Sequence, residues 1–539
     1  MAKEQFLEDK EKFEDSMKDE DLIEQIDAWE RESETVYELL KGIWEENLEY
    51  YHGNQTELHE IKGRKDSKAV ENRQFMAVET MIPIATSRLP DIEVYPGDTD
   101  DEVAQMTATD LQDILNYQNE RTGLQADAER FLRDMLLKRY GVWKKVWDKE
   151  SDDVARIVID PRRIRVPRFG RSVDELAFLI EDVEMSYNKI KSEFGEAIAE
   201  KVRAEKVEHS EFKYRLATFT VKEVWTNEFV VRRAGSIIIS KERNPLYDFD
   251  NKDKNHFLHA KKPYIIKSLF ETEESIIGDT DYIQVTKNIQ DNINKRKRQI
   301  EDVVSKTANP ILMIDSNAMS EEQVANITNE AGFIFYGDGA ADGTKIRFEN
   351  PGALPNDVFL DLEGSRSAFD NIWGIHSTTR GERQGKETLG GRQLLRQADL
   401  GRIDAVARQL ERAVDEDAEW NVQLMKMFYN EKRVFTILGE DGVRFIKDFT
   451  GEKIGKIRMR VTPGSTLPKD EITQRQEAIE LWTQKALGVR TLYKRLKMSN
   501  LNDAVQDYIE TQSGQIFGGQ QGGGGAEITP TTPPPVGQI

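Results

Sequence analysis

"GERQGKETLGG", residues 381–391, decides between two folds for this chain. Read as a phosphate loop, its Gly385-Lys386 pair with Thr388 close behind would cradle a nucleotide at a helix N-terminus and make the protein an ATPase. The spacing refuses that reading. A phosphate loop sets four residues between its first glycine and the Gly-Lys pair, so that successive backbone N–H groups wrap the phosphates. Here only Glu382, Arg383 and Gln384 separate Gly381 from Gly385. The hydroxyl that holds Mg²⁺ must follow the lysine directly, but Glu387 stands there and repels phosphate. The preceding "FDNIWGIHSTTR", residues 369–380, is no buried strand. The stretch is a loop ahead of a helix, with Gly385, Gly390 and Gly391 giving it backbone freedom.

Its flanks support this. Downstream, residues 392–431 carry Ile403, Ala407, Leu410, Val414 and Phe428 near one face, the spacing of a long helix. Upstream, "NDVFLDLEGSRSAFDNIWGI" (356–375) predicts a shorter helix. Before it come three short strands, "NPILMID", "AGFIFYG" and "TKIRFEN", and before those a long helix from about Glu273 to Thr307. Ile283, Ile289, Ile293, Ile300 and Val304 lie along one side of that helix.

The N-terminal half mixes both periods. A helical stripe runs from Asp21 to Tyr50, and a second helix over residues 70–90 ends at Pro90. "DIEVYPGD" reads as a strand and turn, and residues 98–141 as two helices ending at Gly141. "VWKKVWD", "VARIVIDPRRIRVP" and "LAFLIEDVEM" alternate as strands, "SYNKIKSEFG" is a short helix, and residues 216–242 return to strand. Near the C-terminus "RVFTIL", "VRFIKDF" and "KIRMRVTPG" are strands and residues 468–512 helical. The class is α+β. The first 20 residues, a charged run, are expected to be mobile, and the Gly/Pro-rich tail 513–539 disordered.

Composition narrows the function. The 539 residues carry a formal charge of −22, which argues against a protein that coats DNA. With no cysteine, thiol catalysis, disulfides and thiolate metal sites are excluded. No apolar run reaches the roughly 18 residues of a membrane span, and no signal peptide opens the chain.

The remaining chemical candidates are weak. "GFIFYGDGAADG" has its glycines mis-spaced for a dinucleotide site and reads as a turn between strands. Asp338, Asp342, Gly343 and Glu349 fall at calcium-loop positions, but Ala340 occupies a ligand position and the flanks are strands. His256 and His259 have no third ligand nearby, and "HEIKG" (59–63) lacks the second histidine of a metalloprotease helix. No nucleophile elbow is present. The expectation is a non-enzyme with no cofactor and no metal. The densest basic cluster is Lys295, Arg296, Lys297 and Arg298, midway along a long helix. It is either a solvated face or a ring facing phosphate or a partner.

The order of elements resembles the portal proteins of tailed double-stranded DNA bacteriophages. "ENRQFMAVETMIPIATSRLPDIEVYPGD" is similar to their "N-R … P-x-I-x-V-x-P" segment. "KRYGVWKKVWD" and "IDPRRIRVPRFGRSVDELAFLIEDVEMSYNKIKSEFG" are similar to the wing's strand, "D-P-x-x-I" turn and short helix. The resemblance spans nearly all of residues 21–512 and implies a portal fold. Residues 21–272 would be the N-terminal wing, 273–306 the first stem helix, 307–354 the clip and 355–375 the second stem helix. Residues 376–392 would be the tunnel loop, 393–467 the kinked wing helix (393–430) with the C-terminal wing strands, and 468–512 the helical crown.

The resemblance further implies a homo-oligomeric, dodecameric ring at one capsid vertex of the virion, assembled in the host cytoplasm. Double-stranded DNA would pass through its axis during packaging and ejection. Its partners would be the large terminase, the major capsid and scaffolding proteins and a head-completion adaptor, with no membrane. Arg383, Gln384, Gly385, Lys386, Glu387 and Thr388 would then line the channel. Two rival readings are another neck or head ring protein and a terminase-like packaging enzyme. The second would need the phosphate loop that residues 381–391 do not supply.

Overall fold

The computed structural model describes residues 18–55, 67–88, 90–97, 101–208, 218–271, 275–308, 311–315, 317–325, 344–349, 352–375, 389–438, 444–455, 457–461, 471–496, 504–506 and 508–509. The chain forms two compact units, one of residues 1–433 and 449–467, the other of 434–448 and 468–539.

The first unit opens with α1 (Asp19–His52), whose acidic first turn suits the helix dipole and whose end is set by Gly53 at φ 83°. α2 (Arg73–Ala85) is capped by the Asn72 side chain, which accepts the Phe75 N–H. It stops at Ala85, short of Pro90. β1 (Ile92–Pro96) follows, then α3 (Glu102–Arg121) and α4 (Leu124–Lys138). On β1, the Ile92 and Val94 N–H groups donate to side-chain oxygens of Asn116 and Gln112 on α3, which occupies these strand donors.

Gly141 does not end α4. The helix stops at Lys138, Arg139 turns the chain at φ 74°, and Gly141 lies in β2 (Tyr140–Asp148). A Cβ at Gly141 would sit 2.7 Å from the Phe131 carbonyl oxygen, so the glycine is there for close helix–strand approach.

β3 (Asp153–Ile159) pairs antiparallel with β2. β4 (Ile164–Arg165), β5 (Leu179–Ser186), β6 (Thr218–Trp225), β7 (Phe229–Ala234) and β8 (Ile237–Arg243) make a five-stranded antiparallel sheet in chain order. Between β5 and β6 stand α5 (Tyr187–Phe194) and α6 (Glu196–Glu208), the second of which the periodicity did not reveal. β9 (Tyr264–Ser268), also unforeseen, pairs with the other edge of β2.

α7 (Tyr282–Ala308) starts later than Glu273 because Asp281 caps it, accepting the Gln284 N–H at 2.8 Å. Of its predicted stripe Ile283 and Ile293 are buried, while Val304 is 60% exposed, so only the first half of the helix packs in this way. Then come β10 (Ile311–Ile314), the five-residue α8 (Glu321–Ala325) and β11 (Ile346–Glu349), which pairs with β10. Of the three strands expected here, "AGFIFYG" lies outside the described residues.

α9 (Asn356–Trp373) pairs with α7. α10 (Leu389–Phe428) takes Gly390 and Gly391 into its first turn, where the sequence reading had put them in the loop before it. β12 (Arg433–Leu438) and β13 (Arg444–Phe449) form a two-stranded sheet, and β14 (Ile457–Val461) pairs with β1. α11 (Glu471–Thr483) and α12 (Val489–Arg495) lie in the second unit.

Two adjacent lysines on β2 tie the first unit together. Successive side chains on a strand point to opposite faces. Lys144 Nζ therefore reaches Glu181 at 2.7 Å and Glu223 at 3.0 Å on the five-stranded sheet. Lys145 Nζ reaches Asp417 at 2.9 Å and Asn421 at 2.7 Å on α10. Asp417 also takes Arg156 of β3 at 2.8 Å. Burial pushes Lys145 down to about 8, against the opposing pull of Asp417. Burial disfavours the Asp417 carboxylate, but Arg156 and Lys145 outweigh it and hold the group below the usual range. Asp417→Asn leaves buried Lys145 without its counter-charge and Arg156 with Asp127 alone, at 3.3 Å. The expected loss is about 3–5 kcal/mol, read as a lowered midpoint in urea unfolding.

Candidate functional site

The basic cluster sits on α7 beside α9 and the irregular segment 67–72, and two of its four members are engaged in holding that junction. Arg296 Nε donates to Asp361 of α9 at 2.6 Å and its Nη1 to Gln299 at 2.9 Å. Arg298 donates to the carbonyls of Ala69 and Gln55, at 3.2 and 3.3 Å. Lys295 is exposed and Lys297 half-buried. The cluster is thus split between two arginines that bind the fold and two lysines on its surface.

Beneath it runs a seam of buried amides and hydroxyls. Thr286, Gln290 and Asn294 recur every fourth residue on α7, so they share one face. Asn294 Oδ1 accepts the Glu71 N–H at 3.0 Å and a Gln290 amide proton at 3.1 Å, and its amide donates to Gln55. Gln290 donates to the Glu71 carbonyl at 2.7 Å and accepts the Arg73 N–H at 3.2 Å. Thr286 Oγ1 receives Gln74 at 2.9 Å and the Trp373 indole N–H at 3.2 Å, and donates to the Tyr282 carbonyl at 2.6 Å. Among these residues Thr286, Gln290, Asn294, Gln74 and Trp373 are each 1% exposed or less.

An ion-pair chain closes the seam on the α9 side. Arg73 bridges Glu71 at 3.1 Å and Asp370 at 2.5 Å. Arg366 adds a second cation to Glu71, with its Nε at 2.8 Å. Burial raises the Glu71 carboxyl, but Arg366 and then Arg73 prevail and hold it below its ordinary value. At the other end Tyr50 donates to Asp291 at 2.7 Å, joining α1 to α7. This arrangement anchors a helix; it presents no nucleophile and no acid–base pair aimed at a cavity.

Arg383, Gln384, Gly385, Lys386, Glu387 and Thr388 lie outside the described residues, as do Asp338, Asp342, Gly343 and the "HEIKG" stretch, while Glu349 ends β11. His256 is tied by its backbone N–H to Gln423 at 2.6 Å. Burial, with Lys426 and Lys261 nearby, pushes its ring down to about 4, so it is neutral at pH 7. Among the described residues no group of three potential ligands could hold a metal ion, and no helix is long and apolar enough to cross a membrane.

Residues 282–516, a little under half the chain, match the family described as phage P22-like portal protein. By that match residues 282–516 are similar to the phage portal proteins. The matched region begins at the first residue of α7, so it takes in the α7–α9 pair, the segment 376–388 and α10. No curated protein matches the chain.

Two outcomes are expected of the seam. Thr286→Val keeps the volume but strands the Gln74 and Trp373 donors. It should cost about 1–3 kcal/mol in chemical denaturation. Glu71, with its folded pKa depressed, contributes stability that is present above the unfolded value near 4.5 and is lost as pH falls through the lower folded value. Glu71→Gln should therefore be less stable than wild type at pH 7, the gap shrinking as thermal midpoints are followed below pH 4.5.

Proposed function

We propose that the chain is a portal subunit: a copy of a dodecameric ring at one capsid vertex, through whose axis double-stranded DNA is packaged and ejected. The observation that carries this reading is the family match over residues 282–516, which falls on a helix, a small β unit, a second helix and a long helix in that order. On this reading α7 and α9 are the stem, and the β10–β11 sheet with α8 belongs to the clip, which docks the large terminase and later the head-completion adaptor. Residues 376–392 occupy the tunnel-loop position, residues 21–272 with 393–467 form the wing, and residues 468–512 the crown. The wing meets the major capsid and scaffolding proteins.

The charge supports a conduit. A protein that must let DNA slide cannot hold many phosphates by ion pairs, because each adds a strongly salt-dependent grip. With Arg296 and Arg298 turned to the fold, Lys295 and Lys297 are the members left to offset the acidic background around a ring. Arg383 to Thr388 alternate both charges with polar groups, a composition suited to weak contact with DNA.

Negative-stain microscopy of the purified full chain should show rings with a central hole, and the same sample should lack ATP turnover. Monomers at micromolar concentration, or robust ATPase activity, would overturn the portal reading.

A further inference from the structure

β2 and α10 bring an amine, an amide and a carboxylate into contact where water is excluded. Lys145 Nζ donates to Asn421 Oδ1 at 2.7 Å and lies 2.9 Å from Asp417 Oδ1. Asp417 and Asn421 stand four residues apart on α10, neighbours on one face of the helix. The second carboxylate oxygen of Asp417, which accepts from Arg156 at 2.8 Å, also accepts from the Asn421 amide nitrogen at 3.5 Å. Asp417 therefore touches both the amine and the amide nitrogen. The Lys145 and Asp417 side chains are 2% and 1% exposed, and Asn421 is 4% exposed.

These are the parts of an acyl transfer. An amine attacks an amide only when it is neutral, held against the carbonyl and served by a group that carries protons. Burial supplies the first condition by pushing Lys145 down to about 8. The contact with Asn421 Oδ1 supplies the second. Asp417 supplies the third: against the pull of burial, Arg156 and Lys145 hold its carboxylate ionised, so it can accept a proton.

We propose that Lys145 and Asn421 join in an isopeptide bond, formed by the chain itself with Asp417 as the proton carrier. Asp417 takes a proton from the Lys145 ammonium. Neutral Nζ then bonds to Cγ of Asn421, whose C=O opens to a tetrahedral oxyanion. A further Nζ proton passes to Nδ2, the Cγ–Nδ2 bond breaks with its electron pair going to nitrogen, and the carbonyl re-forms. Of the three ammonium protons one stays on the new amide and two leave with Nδ2, so the product expelled is ammonium. Asp417 ends as it began, and no oxidant or cofactor is consumed. The bond ties β2 to α10 across 276 positions of the chain. It does not depend on the portal reading.

A second pair gives a comparison inside the same molecule. Lys262 is 1% exposed, donates to Asn227, and is likewise pushed down to about 8 by burial. Among the described residues no carboxylate hydrogen-bonds it; its carboxylate neighbour Asp174 pairs with Lys261 instead, at 2.8 Å. Without a proton carrier in contact, Lys262 and Asn227 should stay separate.

The full-length chain, held overnight near pH 8 and then denatured, should weigh about 17 Da less than its sequence, the mass of the ammonia lost. A tryptic digest should contain a branched peptide joining residues 145–149 to 413–426, with no cleavage after Lys145. Asn421→Leu should keep its full mass and give no branched peptide. Asp417→Asn should form the branched peptide about a hundred-fold more slowly. Wild type at full mass without a branched peptide overturns the proposal, and no variant has to fold for that result. An Asp417→Asn rate equal to wild type overturns the role given to Asp417. So does a wild-type peptide joining Lys262 to Asn227 as readily, a comparison that stands even where Asp417→Asn fails to fold.

Discussion

The Lys145–Asp417–Arg156 triad is the constraint around which the first unit is arranged. Each of these charges would cost several kcal/mol to bury alone, so none can be placed until the other two are present. That requirement brings the neighbouring strands β2 and β3 onto α10, at a residue more than 250 positions further along the chain. Lys144 extends the demand to the opposite face of β2, where Glu181 and Glu223 bind the five-stranded sheet. An apolar core would hold these layers as firmly, but without saying which face of α10 must turn inward. The directional contacts say it.

The α7 seam works by the same logic with neutral groups. Gln290 and Asn294 hydrogen-bond backbone groups of Glu71 and Arg73, and Thr286 accepts from the Gln74 side chain. The helix therefore does two things at once: it completes the hydrogen bonding of a non-helical segment, and it pairs with α9 through Asn292, Arg296 and Asp361.

Much of the architecture was legible because its signals are local. Helical stripes, alternating strands and turn residues marked α1, α9, α10 and most of the strands within a few residues, and α7 at its end but not at its start. β9 was missed because "YIIKS" is short and follows a polar loop, and α6 because "EAIAEKVRAEKVE" has little apolar stripe to read. Gly141 was misread because a glycine after a helix has two meanings, a cap or a close approach, and only the position of Phe131 decides between them. Charge was the larger obstacle. "VWKKVWD" and "NKRKRQ" look like solvated faces, yet Lys144, Lys145, Arg296 and Arg298 are held by partners distant in sequence that no spacing rule reveals. The buried polar face of α7 did have a visible signal, the four-residue step of Thr286, Gln290 and Asn294. It was overlooked because a polar stripe is ordinarily assigned to water.

The seam also bears on how α7 behaves under mechanical load. Apolar side chains can creep past one another with little change in energy, since dispersion has no direction. Gln290 and Asn294 cannot, because between them they hold specific backbone atoms of residues 71 and 73 and lose them all with a small axial shift. The next position of comparable spacing lies one helical turn away, about 5.4 Å, and there the side chains do not match. A pull along α7 is therefore met without graded sliding: the helix stays in place until the whole set of bonds fails together.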